Sequence, residues 1–143
     1  MNRFHVHLAV ENLEENIRFY SVLFQAERDI READYAKWIL DEPRLNFALS
    51  SRGRKPGLDH LGLQVESGDE LESVQQGLAQ VALPVAEQKQ AACCYPRSDK
   101  YWTVDSQGIP WEAFHTLSRI PLFGEDTAIR IEPVSNGCNP SKR

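Results

Sequence analysis

The sequence predicts an α+β fold built from two tandem βαβββ modules, and three observations predict it. Two segments alternate as strands do, FHVHLAV at Phe4–Val10 and LDHLGLQV at Leu58–Val65. Each is followed by an amphipathic stretch, LEENIRFYSVLF at Leu13–Phe24 and SGDELESVQQGLAQV at Ser67–Val81. Three shorter strand-like runs then follow each helix, so the same order of elements is read twice along the chain.

In the first module, Ile17, Phe19, Tyr20, Leu23 and Phe24 recur at helical spacing, and Asn12 with Glu15 three positions on makes an N-terminal cap. Strands are expected at Ala26–Arg31, Tyr35–Leu40 and Leu45–Ser50, the last two separated by the turn-prone DEPR. The hydrophilic SRGRKPG, Ser51–Gly57, links to the second module, whose later strands are expected at Pro84–Gln88, Tyr101–Asp105 and Pro110–His115. One domain over 1–118 is expected, with module 1 at about 1–52 and module 2 at about 57–118. Residues 119–143 have no sustained period and read as a C-terminal extension.

Composition narrows the function classes. A formal net charge of −5 argues against a nucleic-acid partner, which a basic face would attract. No apolar run reaches the length of a membrane span, and the opening MNRFHVHLAV lacks the charged and apolar regions expected of a signal peptide. Three cysteines, two of them adjacent, do not form a secreted disulfide framework, and a reducing cytoplasm is the expected compartment.

Candidate ligands come from the repeat. His5 and His60 open the first strand of their respective modules, and a duplicated sheet can bring such strands side by side. IPWEAF, Ile109–Phe114, adds Glu112 between apolar neighbours, where a carboxylate is costly to bury unless paired or bound to a cation. Two imidazoles and one carboxylate with open positions are the ligand set of non-heme Fe(II) oxygenases. Taken singly, each residue has a plainer reading: a hydrogen-bonded strand histidine, or an edge glutamate facing water. His7 shares the face of His5, two residues on.

The stretches HVHLAVENLEENIRFYSVLF, LDHLGLQV and DSQGIPWEAF resemble the vicinal oxygen chelate superfamily, also called the glyoxalase/bleomycin-resistance/extradiol dioxygenase family, over about residues 1–117. The family's first histidine stands eight residues before the leucine that begins the helix, which selects His5 (with Leu13) and leaves His7 beside it. Its second histidine matches His60 and its closing carboxylate matches Glu112. Within the superfamily, CCYPRSDKYWTVDSQGIPWEAF is similar to the C–As lyase branch of organoarsenical dioxygenases, which includes cadmium-induced proteins. The pattern is filled by Cys93, Cys94, Tyr95, Asp99, Lys100, Trp102, Asp105, Gly108, Trp111 and Glu112. Ile109–Pro110 departs from the branch at a turn, and Cys138 lies past the matching region.

That resemblance implies Fe(II)-dependent, O2-consuming cleavage of the carbon–arsenic bond of trivalent organoarsenicals such as methylarsenite and aromatic arsenites, giving arsenite. His5, His60 and Glu112 would hold the metal, and Cys93 with Cys94 would hold the substrate. The chemistry is consistent: trivalent arsenic is thiophilic, and two adjacent thiols chelate one atom through high effective concentration. Arg97 and Lys100 nearby would favour the thiolate. Ala86–Lys100 is expected to be a mobile loop closing over the metal, with Asp99 and Lys100 a solvated pair or lid anchor and Tyr35 and Tyr101 lining the pocket. Members of the family commonly form dimers, so the resemblance admits a homodimer, while the sequence itself does not fix the oligomeric state. A glyoxalase-type isomerase would need a second acid from LNFALS, which offers Asn46, Phe47 and Ala48 instead. A protein of the same fold that sequesters arsenic, metal or drug without turnover is the non-enzymatic alternative.

Overall fold

The computed structural model describes residues 1–81, 86–91 and 96–119. Two compact units are present, Arg3–Leu61 and a second formed by the chain from Gly62 onward with Met1–Asn2. The division falls inside a strand, after Leu61, and not in the Ser51–Gly57 linker.

The first unit contains β1 (Arg3–Ala9), α1 (Leu13–Phe24), β2 (Ile30–Glu32), β3 (Tyr35–Asp41), β4 (Arg44–Ser50) and the opening residues of β5 (Gly57–Val65). Its strands run in the order β2-β3-β4-β1-β5. Helix α1 spans the predicted Leu13–Phe24, because both ends are written locally. Asn12 Oδ1 accepts from the Glu15 N–H, and Gln25 closes the helix in the left-handed region at φ 52°. The strand expected at Ala26–Arg31 is confined to Ile30–Glu32. Residues 26–29 serve instead as anchors: the Trp38 indole donates to the Ala26 carbonyl, and Asp29 Oδ2 accepts from the Ile39 N–H.

Side chains sort by strand parity. β1 runs parallel to β4 with Val6 opposite Phe47 and Leu8 opposite Leu49, and β3 is antiparallel with Trp38 opposite Phe47. These residues pack with Leu13, Ile17, Tyr20 and Phe24 of α1 into an aromatic-rich core. The opposite face carries the alternate positions: His5 opposite Asn46, His7 opposite Ala48, and Tyr35 opposite Ser50.

The second unit contains the remainder of β5, α2 (Gly68–Gln80), β6 (Ala86–Ala91), β7 (Pro96–Val104) and β8 (Pro110–Arg119), in the strand order β5-β8-β7-β6. Ser67 caps α2 by accepting from the Glu70 N–H. Val65, Leu71, Val74, Tyr101 and Ala113 form its core. Within the expected loop over Ala86–Lys100, the described residues 86–91 and 96–100 are strand instead, paired antiparallel, with Gln88 opposite Lys100. Cross-strand hydrogen bonding, which ignores side-chain polarity, outweighs the mixed composition here. At the β7–β8 turn, the Ile109 N–H first, with those of Gln107 and Gly108 and the Trp111 indole, holds the Asp105 carboxyl below its ordinary range against a smaller opposing effect of desolvation. No helix among the described residues is long and apolar enough to cross a membrane.

Both units repeat the βαβββ order, as the sequence predicts.

Candidate metal centre

Parallel pairing of β1 with β4 and the neighbouring start of β5 bring His5, His7 and His60 together on the face away from α1. All three are buried, and one nitrogen from each lies within 4.8 Å of the others. His5 Nε2 stands 3.2 Å from His60 Nε2. His7 Nε2 stands 2.9 Å from Ser50 Oγ, and its ring centroid is 4.7 Å from that of His60.

The partners of the outer ring nitrogens fix the tautomers of the first pair. His5 Nδ1 lies 3.0 Å from the Asn46 backbone carbonyl and 3.1 Å from Asn46 Oδ1, both pure acceptors, so Nδ1 carries the hydrogen. His60 Nδ1 donates to Asp59 Oδ2 at 2.8 Å, and Arg54 Nη1 stands 3.5 Å from the other Asp59 oxygen. In the neutral rings each Nε2 therefore presents a lone pair. Two lone pairs 3.2 Å apart cannot hydrogen-bond to each other, whereas a shared proton or a metal ion satisfies both. Metal–imidazole bonds of about 2.0–2.1 Å put two adjacent ligand nitrogens about 3 Å apart, so the donor set fits a divalent first-row cation.

Carboxylate and carbonyl partners behind ligand histidines orient the ring and raise its basicity, and losing one typically costs 10–100-fold in metal affinity. Asp59→Asn should weaken Co(II) binding by about that factor, read by anaerobic titration of the visible cobalt bands, because the amide cannot match the carboxylate's charge.

Asp59, Asn46, Ser50 and Arg54 carry no signal in the sequence strong enough to mark them as part of the site. Asp59 had a local signal, its adjacency to His60, but neighbours on a strand ordinarily point to opposite faces. Asn46 and Ser50 become visible only through the β1–β4 register.

Glu112 belongs to the second unit. It is buried on the face of β8 away from α2, opposite Trp102, and its Oε2 accepts from Lys100 Nζ at 3.1 Å. Lys100 is only 3% exposed and stands over the Trp102 and Phe114 rings, so it is a buried counter-charge and not one of a solvated pair. Gly62 fits beside Glu112: a Cβ there would collide with the Glu112 backbone carbonyl and stand 3.1 Å from its Cγ. Gly62→Ala should accordingly lower stability by about 1–3 kcal/mol in chemical denaturation. Tyr35 lies on the histidine face, its ring 6.2 Å from that of His7. Tyr101 instead packs toward α2 and donates its hydroxyl to Glu72, because odd positions of β7 face the helix. Cys93, Cys94 and Cys138 lie outside the described residues.

No family model matches the chain. It is 41% identical over 119 residues to a trivalent organoarsenical cleaving enzyme of Bacillus sp. (strain MD1), covering 81% of this chain and 74% of that protein. A probable trivalent organoarsenical cleaving enzyme of Bacillus subtilis (strain 168) is 33% identical over 130 residues, 90% and 89% of the two chains. The cadmium-induced protein CadI of Mycobacterium tuberculosis (strain ATCC 25618 / H37Rv) is 32% identical over 125 residues, 87% and 82%. Among solved structures, an extradiol ring-cleaving dioxygenase from Brevibacterium fuscum superposes with a TM-score of 0.63 at 14% identity over 87% of this chain. This chain spans 35% of that larger protein. At such identity the likeness speaks for the fold alone, the vicinal oxygen chelate fold of tandem βαβββ units.

Proposed function

The chain belongs to the trivalent organoarsenical cleaving enzyme family, and from that premise we propose that it cleaves the carbon–arsenic bond of methylarsenite or aromatic arsenites, consuming O2 and releasing arsenite. The observation that carries the reading is the buried His5–His60 pair, whose Nδ1 hydrogens are committed to Asn46 and Asp59 and whose Nε2 atoms converge. Fe(II) is the proposed metal, and when bound it supplies the one-electron chemistry by which O2 attacks an otherwise inert carbon–arsenic bond. Glu112 is assigned the carboxylate ligand's role on its place in the family pattern, and its burial supports a charged partner. Cys93 and Cys94 are assigned the arsenic: two thiolates take a soft centre that imidazole and carboxylate bind poorly. A reducing cytoplasm would keep both thiols available.

The test is anaerobic loading with Fe(II), addition of phenylarsenite, and arsenic speciation under air and under nitrogen. Arsenite released in air alone supports the proposal. Tight arsenic binding without release in either atmosphere overturns it in favour of a sequestering protein. Glu112→Ala should lose turnover and keep arsenic binding, whereas Cys93→Ser should lose the binding. Full turnover in both variants would remove these assignments.

A further inference from the structure

We propose that His7 is a third imidazole ligand, so that the cation is gripped by His5, His7 and His60, all within Arg3–Leu61. The inference rests on the reading above that the His5–His60 pair binds the metal, and it extends that site beyond the ligands implied by the family pattern. Residues two apart on a strand share a face, so an H-x-H spacing presents two rings to one point in space. β1 does this at His5 and His7, whose ring centroids lie 6.1 Å apart at 83°. The start of β5 supplies the third ring, with centroids 5.1 Å from His5 and 4.7 Å from His7.

Burial sharpens the point. His5, His7 and His60 are 5%, 2% and 1% exposed, and withdrawing three imidazoles together from water is costly unless their polar atoms are satisfied. His7 Nε2 meets Ser50 Oγ, a hydroxyl able to donate or accept, which suits either tautomer of the ring. With Nε2–H donating to Ser50 Oγ, the ring keeps its Nδ1 lone pair for a cation while remaining anchored. A packing role alone would be met by an apolar residue, as it is on the other side of β1 by Val6 and Leu8. The class of cation follows from the donors: imidazoles favour borderline first-row ions such as Fe(II), Co(II), Ni(II) and Zn(II) over hard Mg(II) or Ca(II).

X-ray absorption of the unmodified protein loaded with one equivalent of Co(II) counts imidazoles without any substitution. Three are expected, and two would overturn the inference. Anaerobic titration of the full-length protein with Co(II) gives a second readout. His7→Gln should bind it about tenfold or more weakly, since losing even a ligand's outer partner costs that much. A His7→Gln protein with unchanged affinity and cobalt bands would also overturn the inference while leaving the proposed function standing. If His5→Ala binds Co(II) like the unmodified protein, the reading of the site fails, and the inference with it.

Discussion

His60→Ala should reduce divalent-metal affinity by about 100-fold or more and abolish arsenite release, while leaving a folded protein. The ring is buried at the point where the converging nitrogens meet, 3.2 Å from His5 Nε2. Asp59 and Arg54 stand behind it, so the chain invests a carboxylate and a guanidinium in one ring's orientation. Replacing such an outer partner costs 10–100-fold, and removing the ligand itself should exceed the upper end of that range. Stability should change far less, by about 1–3 kcal/mol, because the helix-packed core lies on the other face of β1. Anaerobic Co(II) titration with circular dichroism on the same samples separates the two effects. A His60→Ala protein that binds cobalt normally would contradict the assignment of this centre.

Lys100→Met should destabilise the metal-free protein by about 3–5 kcal/mol, the usual cost of removing one partner from a buried ion pair. Lys100 Nζ and Glu112 Oε2 are 3.1 Å apart, with side chains 4% and 5% exposed. Methionine preserves most of the stem's contact with Trp102 and Phe114 while deleting the charge. The double variant Lys100→Met, Glu112→Gln should recover a substantial part of the loss, since no carboxylate charge then needs a partner. Urea unfolding of the four proteins in the cycle measures the coupling directly. If the single variant is as stable as the unmodified protein, the pair is not the buried counter-charge described above.

The helix α1 was legible to the residue because amphipathic period and the Asn12 cap lie within a few positions of one another. Strand alternation likewise located β1, β3, β4 and β5 to within a residue or so, and the recurrence of the element order gave the tandem fold. His5 and His60 were legible as candidates because the repeat places them in equivalent strands. The residues around them were not. Asn46 comes to His5 through a parallel register between segments 41 residues apart, and Ser50 meets His7 in the same way. Lys100 read as solvent-facing for the opposite reason. Lysine ordinarily is, and only the β7–β8 pairing reveals that its parity matches that of Glu112.

Sequence alone therefore determined the order and kind of elements, the repeat, and two imidazoles in equivalent strands as candidate ligands. Tertiary structure decided which groups orient those imidazoles, that His7 stands among them, and that Lys100 neutralises Glu112. Hydrophobic period and end caps act between near neighbours and are written into short stretches of chain. Cross-strand register is a collective outcome of packing, and it alone sets which distant polar atoms come within hydrogen-bonding distance.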